Sequence, residues 1–182
     1  MKQFTNLAAV CLSALVLLPS MATMAQDSAK NPLTATVRET LDMYSKNLVA
    51  TAEEMPAERY AYHPTPEQMT FGKSIEHVAE VNMFACAKVS DMPAPQAPKA
   101  TEADGKEKLV AGLKASMEYC QQAFSKLTDA KLAETVPFFG GKRVTRLGAA
   151  LEVNNDLIDH YAALAVYLRL NELLPPTAQK KP

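Results

Sequence analysis

Apolar residues recur at threes and fours in four separate stretches, the spacing that lines one face of an α-helix. In the first, Leu33, Val37, Leu41, Tyr44, Leu48, Ala52 and Met55 form a stripe that opens after Asn31-Pro32 and stops at Pro56. The second carries Phe71, Ile75, Val78, Val81, Phe84 and Ala85 behind Thr70, whose hydroxyl suits a helix N-cap. The third carries Leu109, Leu113, Met117, Cys120, Phe124 and Leu127. In front of it, Asp104-Gly-Lys-Glu107 has the acceptor-x-x-Glu spacing of a capping box. In the fourth, Leu147, Leu151, Ile158, Tyr161, Ala165 and Leu168 mark the packed side, and Pro175-Pro176 ends it. These patterns predict helices over about 33–55, 70–90, 104–128 and 146–173.

The connections are of three kinds. Arg59 to Pro66 holds two prolines and reads as an ordered extended link, and His63 within it has no helical partner. Asp91 to Ala103 is punctuated by Pro93, Pro95 and Pro98 and reads as a surface connection. Thr135 to Phe139 and Lys142 to Thr145 look like short extended pieces around Gly140-Gly141. Repeats of solenoid period are absent. Four one-sided helices must bury their stripes against each other, so the expected fold is all-α. It is a four-helix bundle with a short hairpin-like insert before the last helix.

The first residues stand apart from this pattern. Lys2, an apolar run from Leu7 to Leu18 and the small residues Thr23 and Ala25 predict a signal peptide over 1–25. The run is short for a membrane span. Cys11 lies inside it rather than at its end, which argues against a lipid anchor. Residues 26–182 then form one domain, with its core over about 31–176. The expected location is periplasmic or secreted, with no transmembrane anchor after cleavage. The chain has 19 basic and 20 acidic residues, and no basic stripe argues for nucleic acid. Cleavage leaves Cys86 and Cys120. An even pair in an oxidising compartment suits a disulfide, and two buried thiols are the alternative.

Candidate chemistry centres on Asp156 and His160, which stand one helical turn apart on one face. His77 lies beside the apolar sector of the second helix. Two imidazoles and a carboxylate suit zinc, nickel or iron and leave a coordination position for water or substrate. Spacing alone does not bring His77 to the pair, and a hydrogen-bonded histidine at the core margin is the alternative for it. Glu80, one turn from His77, and Asp159, beside His160, are candidates to orient ligands from behind. Other machinery is poorly supported. Ser74 and Ser116 lack a Gly-x-Ser-x-Gly setting, His-Glu-x-x-His is absent, and Gly140-Gly141 lacks the spacing of a phosphate loop.

The chain resembles the exported branch of the DinB-like four-helix family. The resemblance rests on Ala52-Glu-Glu-Met-Pro56, Tyr62-x-Pro-Thr-Pro66, Phe71-Gly72, His77-Val78-Ala79 and Phe84-x-Cys86. It continues through Tyr119-Cys120, Pro137-Phe-Phe-Gly-Gly141, His160-Tyr161, Tyr167-Leu-Arg169 and Pro175-Pro176. It implies an up-down-down-up bundle with a divalent-metal site near one end. His77 and His160 fall on family ligand positions. Asp156 stands where the family has the first histidine of a His-x-x-x-His pair, a departure that shortens the ligand and adds charge. Cys86 and Cys120 match a helix-two to helix-three pair. The expected function is an exported metal-dependent enzyme of hydrolase or thiol-transferase type, holding zinc or nickel, with iron next. It would act on a small-molecule substrate, and a homodimer is compatible with it. The competing expectation is a non-catalytic ligand-binding or stress-associated bundle with a residual site.

Overall fold

In the computed structural model, which describes residues 30–95 and 99–180, four long helices run as α1 (Pro32–Glu54), α2 (Phe71–Ser90), α3 (Lys106–Ser125) and α4 (Arg146–Leu170). A two-stranded antiparallel ribbon precedes α4, pairing β1 (Thr135–Pro137) with β2 (Arg143–Thr145) through Val136 opposite Val144. Gly140 and Gly141 turn it with φ of 63° and 73°, a region that glycine enters without steric cost. The predicted leader, residues 1–25, lies outside the described residues.

Side-chain contacts fix the direction of every helix. Along α1 and α3 the pairing is antiparallel: Arg38 meets the end of α3, while Lys106 at its start donates to the Met55 carbonyl at 2.8 Å. Along α1 and α4 it is parallel, with Asn154 donating to the Val37 carbonyl at 3.0 Å and Tyr44 stacked edge-on against Tyr161 at 5.9 Å. The α2 and α3 helices are also parallel, since Asn82 reaches Ser116 and Cys86 is bonded to Cys120. Finally, α2 and α4 are antiparallel: Phe71 lies 6.4 Å from Tyr167, and Arg146 donates to the Val89 carbonyl. The order is up-down-down-up. Phe71, Ile75, Leu113, Phe124, Leu157 and Leu168 are among the side chains sealed at its centre. Each such burial contributes about 1.5–3 kcal/mol.

Helix ends are set by contacts from far along the chain. Thr70 caps α2 through the Lys73 N–H at 3.0 Å, as its position predicts. The box expected at Asp104-x-x-Glu107 is displaced: Thr101 and Asp104 cap each other around a 3₁₀ turn, and Gly105 precedes α3. Asp104 is thereby committed to Thr101 and Lys108 and cannot serve the α3 amides. The α3 helix stops short of 128 because Arg38 takes the carbonyls of Phe124, Ser125 and Leu127. A guanidinium there suits the negative end of the helix. On α4 the packed face also differs from the expected one. Leu151 and Ile158 face outward, while Ala149, Ala150, Val153, Asn154 and Leu157 pack inward. Leu33 and Phe84, expected in the stripes of α1 and α2, are likewise exposed. Because α4 is apolar on several sides, periodicity leaves its roll undefined, and contacts with α1 and α2 decide it.

Candidate metal centre

Two ties hold α2 and α4 in register. At one end Arg146 donates to the Val89 carbonyl at 2.9 Å and to Glu134 at 2.8 Å, and it pairs with Asp91. At the other end Phe71 and Tyr167 pack together, and the Tyr167 hydroxyl donates to the Met69 carbonyl at 2.8 Å. Thr145 starts α4 just beyond the ribbon, accepting from the Gly148 N–H at 3.0 Å. Ile75 and Val78 on α2, and Val153 and Leu157 on α4, are buried and fix the roll of each helix. The residues between the ties must then face one another.

Those residues are His77, Asp156 and His160. One ligand atom from each lies within 4.8 Å of the others. The two imidazole rings are tilted at 5.1 Å between centroids, and His160 Nε2 stands 3.6 Å from Asp156 Oδ1. That separation is too long for a hydrogen bond and short enough for charge attraction. The other carboxylate oxygen, Asp156 Oδ2, is buried and makes no hydrogen bond. Burial raises the Asp156 pKa, helped by Asp159 and Glu152 and opposed by His160 and His77. Burial also lowers the His160 pKa, against the pull of Asp156, and favours the neutral imidazole that can ligate. A carboxylate within 4.8 Å of two imidazole nitrogens, with one of its oxygens buried and unbonded, fits a divalent cation in donor type and in charge.

The neighbouring acids have different roles. Glu80 holds Lys99 Nζ at 2.5 Å and is drawn outward by it, which lowers its pKa. Asp159 is exposed and acts on Asp156 and His160 through its charge. His63 stays in the α1–α2 link, where its Nδ1 donates to the Thr65 carbonyl at 2.6 Å. Cys86 and Cys120 form a disulfide with a Cα–Cα distance of 5.2 Å, on the α3 side of α2.

Sequence reasoning missed the surroundings of His77. A cavity of about 680 Å³ opens beside it, lined mainly by apolar groups such as Val81, Met83, Phe84, Leu109 and Phe139. Phe84 and Phe139 stack there at 4.5 Å, with Lys88 Nζ 5.4 Å from the Phe84 ring centre. A signal for Phe139 was present in Phe138-Phe-Gly-Gly141, where a turn carries an aromatic side chain that the ribbon cannot bury.

Known structures and a family model match the fold. A comparison with curated proteins gives no match. The chain is similar in fold to a DinB-like protein of Bacillus subtilis, at 19% identity and a TM-score of 0.64, covering 80% of this chain and 99% of that one. It is similar also to a DinB-like protein of Bacillus cereus, at 16% identity and a TM-score of 0.58, covering 73% and 89%. A conserved protein of Enterococcus faecalis gives 17% identity and a TM-score of 0.55, covering 74% and 93%. The model of the DinB superfamily matches residues 40–164, which hold His77, Asp156 and His160 as well as both cysteines, and the chain belongs to that superfamily.

Proposed function

We propose that the protein is an exported metal-dependent enzyme in which His77, Asp156 and His160 hold one divalent transition-metal ion, zinc or nickel ahead of iron. The observation that carries this is the Asp156 carboxylate, which offers one oxygen within 4.8 Å of a nitrogen on each of two imidazoles while its Oδ2 is buried and unbonded. Three side chains from two helices leave part of the coordination shell for substrate. A bound ion supplies Lewis-acid polarisation of a carbonyl or a thiol, which suits hydrolysis or thiol transfer. The chain's own contribution is to keep His160 neutral and to fix both histidines by helix packing, so that little reorganisation accompanies ligation. The disulfide supports export, since such bonds persist in oxidising compartments. Among the described residues no helix is long and apolar enough to cross a membrane.

The 3.6 Å contact of His160 with Asp156 favours a second reading, a residual ion pair in a bundle without catalysis. Elemental analysis and calorimetric titration of the mature protein beside His77→Ala separate the two. One tightly bound ion per chain, lost in the variant, is expected. A wild-type protein that takes up neither zinc, nickel, iron nor manganese leaves only the ion pair. Export is tested by the mass of the mature chain, expected to begin at Gln26.

A further inference from the structure

We propose that the cavity beside His77 receives the apolar body of an uncharged small organic molecule, whose one polar head is directed at the His77–Asp156–His160 centre. This names the substrate class of the proposed enzyme and rests on that reading for the head group alone. The volume of about 680 Å³ lies within the range of small-molecule sites. Its polar lining is already engaged. Glu76 accepts from Lys73 Nζ at 2.6 Å and from the Glu102 N–H at 2.8 Å. Glu80 is paired with Lys99, and the Thr101 hydroxyl donates to Asp104 at 2.9 Å. The acidic groups of the lining therefore carry their own cations, and Lys88 at the rim lies over the Phe84 ring at 5.4 Å, so the lining itself offers no surplus charge for an ionic ligand. His77 is the polar side chain of the lining that makes no hydrogen bond among the described residues, so a polar head has one place to go.

The rim favours the same occupant. Phe84 and Phe139 remain 38% and 44% exposed while stacked on each other, a large apolar pair held at the cavity edge. Such exposed pairs mark apolar contact sites. A cationic ligand has a better alternative close by. The smaller cavity of about 340 Å³, which shares Val81 and Phe139, is lined by Glu152, Asp156 and Asp159. The two cavities thus differ in charge: Glu76 and Glu80 on the His77 side are paired with lysines, while Glu152, Asp156 and Asp159 on the other side have no lysine or arginine partner among the described residues.

The test uses the mature protein, zinc-loaded and metal-free, titrated with the uncharged fluorophore N-phenyl-1-naphthylamine. Saturable binding at one site is expected in both forms. Ala115→Trp fills the cavity from an exposed position on α3, and Phe139→Ser removes the aromatic rim. Each should weaken the probe about tenfold or more, with melting temperatures confirming that the variants fold. Leu151→Ala, on exposed apolar surface elsewhere, should leave it unchanged. Octanohydroxamate, a chelating head on an apolar tail, should displace the probe from zinc-loaded protein at about tenfold lower concentration than from metal-free protein. Equal displacement from both forms overturns the placement of the head group. Unchanged probe affinity in folded Ala115→Trp and Phe139→Ser, or stronger binding of the anionic 8-anilinonaphthalene-1-sulfonate, overturns the cavity assignment. Failure of zinc to bind with the probe site intact sinks the metal reading instead, and the two failures are read separately.

Discussion

The α2 helix has two polar seams, and they are built on opposite terms. On the side of α3, Asn82 is buried and donates to Ser116 at 3.2 Å, while Cys86 is bonded covalently to Cys120. On the side of α4, His77 meets Asp156 and His160 with a buried carboxylate oxygen left unbonded. The first seam is satisfied and closed. The second is half-buried and keeps one buried carboxylate oxygen that the protein alone does not satisfy, and such an atom destabilises a fold unless something binds it. One helix therefore carries both a fastening and a site.

Breaking the fastening should have the largest effect. Replacing Cys86 and Cys120 by alanine opens a loop closed across a separation of 34 residues. Chain entropy sets the loss at about 3.8 kcal/mol, read as a lower denaturation midpoint in urea. Metal content should hardly change, since the α2–α4 ties remain. If it falls as far as stability does, the two seams are not independent.

On the other seam, Asp156→Ala should weaken zinc binding by about a hundredfold or more, since even groups behind a ligand contribute ten- to a hundredfold. Asp156→His should retain or strengthen binding by supplying a third imidazole, checked by competition with a chelator. The metal-free protein should respond in the opposite sense. Burial raises the pKa of Asp156, so its ionised form opposes folding above the ordinary carboxylate range. Asp156→Asn should therefore melt higher than metal-free wild type at neutral pH while losing the ion. A lower melting temperature in that comparison would show that the carboxylate holds the fold together.

A smaller effect probes the satisfied seam. Ser116→Ala leaves the Asn82 amide with only the Met117 sulfur, at a cost of about 1–3 kcal/mol. Smallest of all, Leu151→Ser should shift stability by about 0.5 kcal/mol or less, because Leu151 is 45% exposed. A large loss there would restore the packed face expected from the periodicity of α4.

Much of this is legible in the amino-acid sequence. Proline, glycine and cap signals bounded four helices to within a few residues, because those effects are local to the chain. Asp156 and His160 were legible as a pair because residues four apart must share a helical face. His77 joined them through resemblance, since nothing in its own neighbourhood specifies a partner about eighty residues away. Tertiary structure decided the rest. It turned Leu151 and Ile158 outward, sent Glu80 to Lys99, gave the cap before α3 to Thr101 and Asp104, and opened the cavity behind Phe84 and Phe139. Periodicity reports that a helix has an apolar side. Which side is buried, and which charge finds which partner, depends on the helices that pack against it.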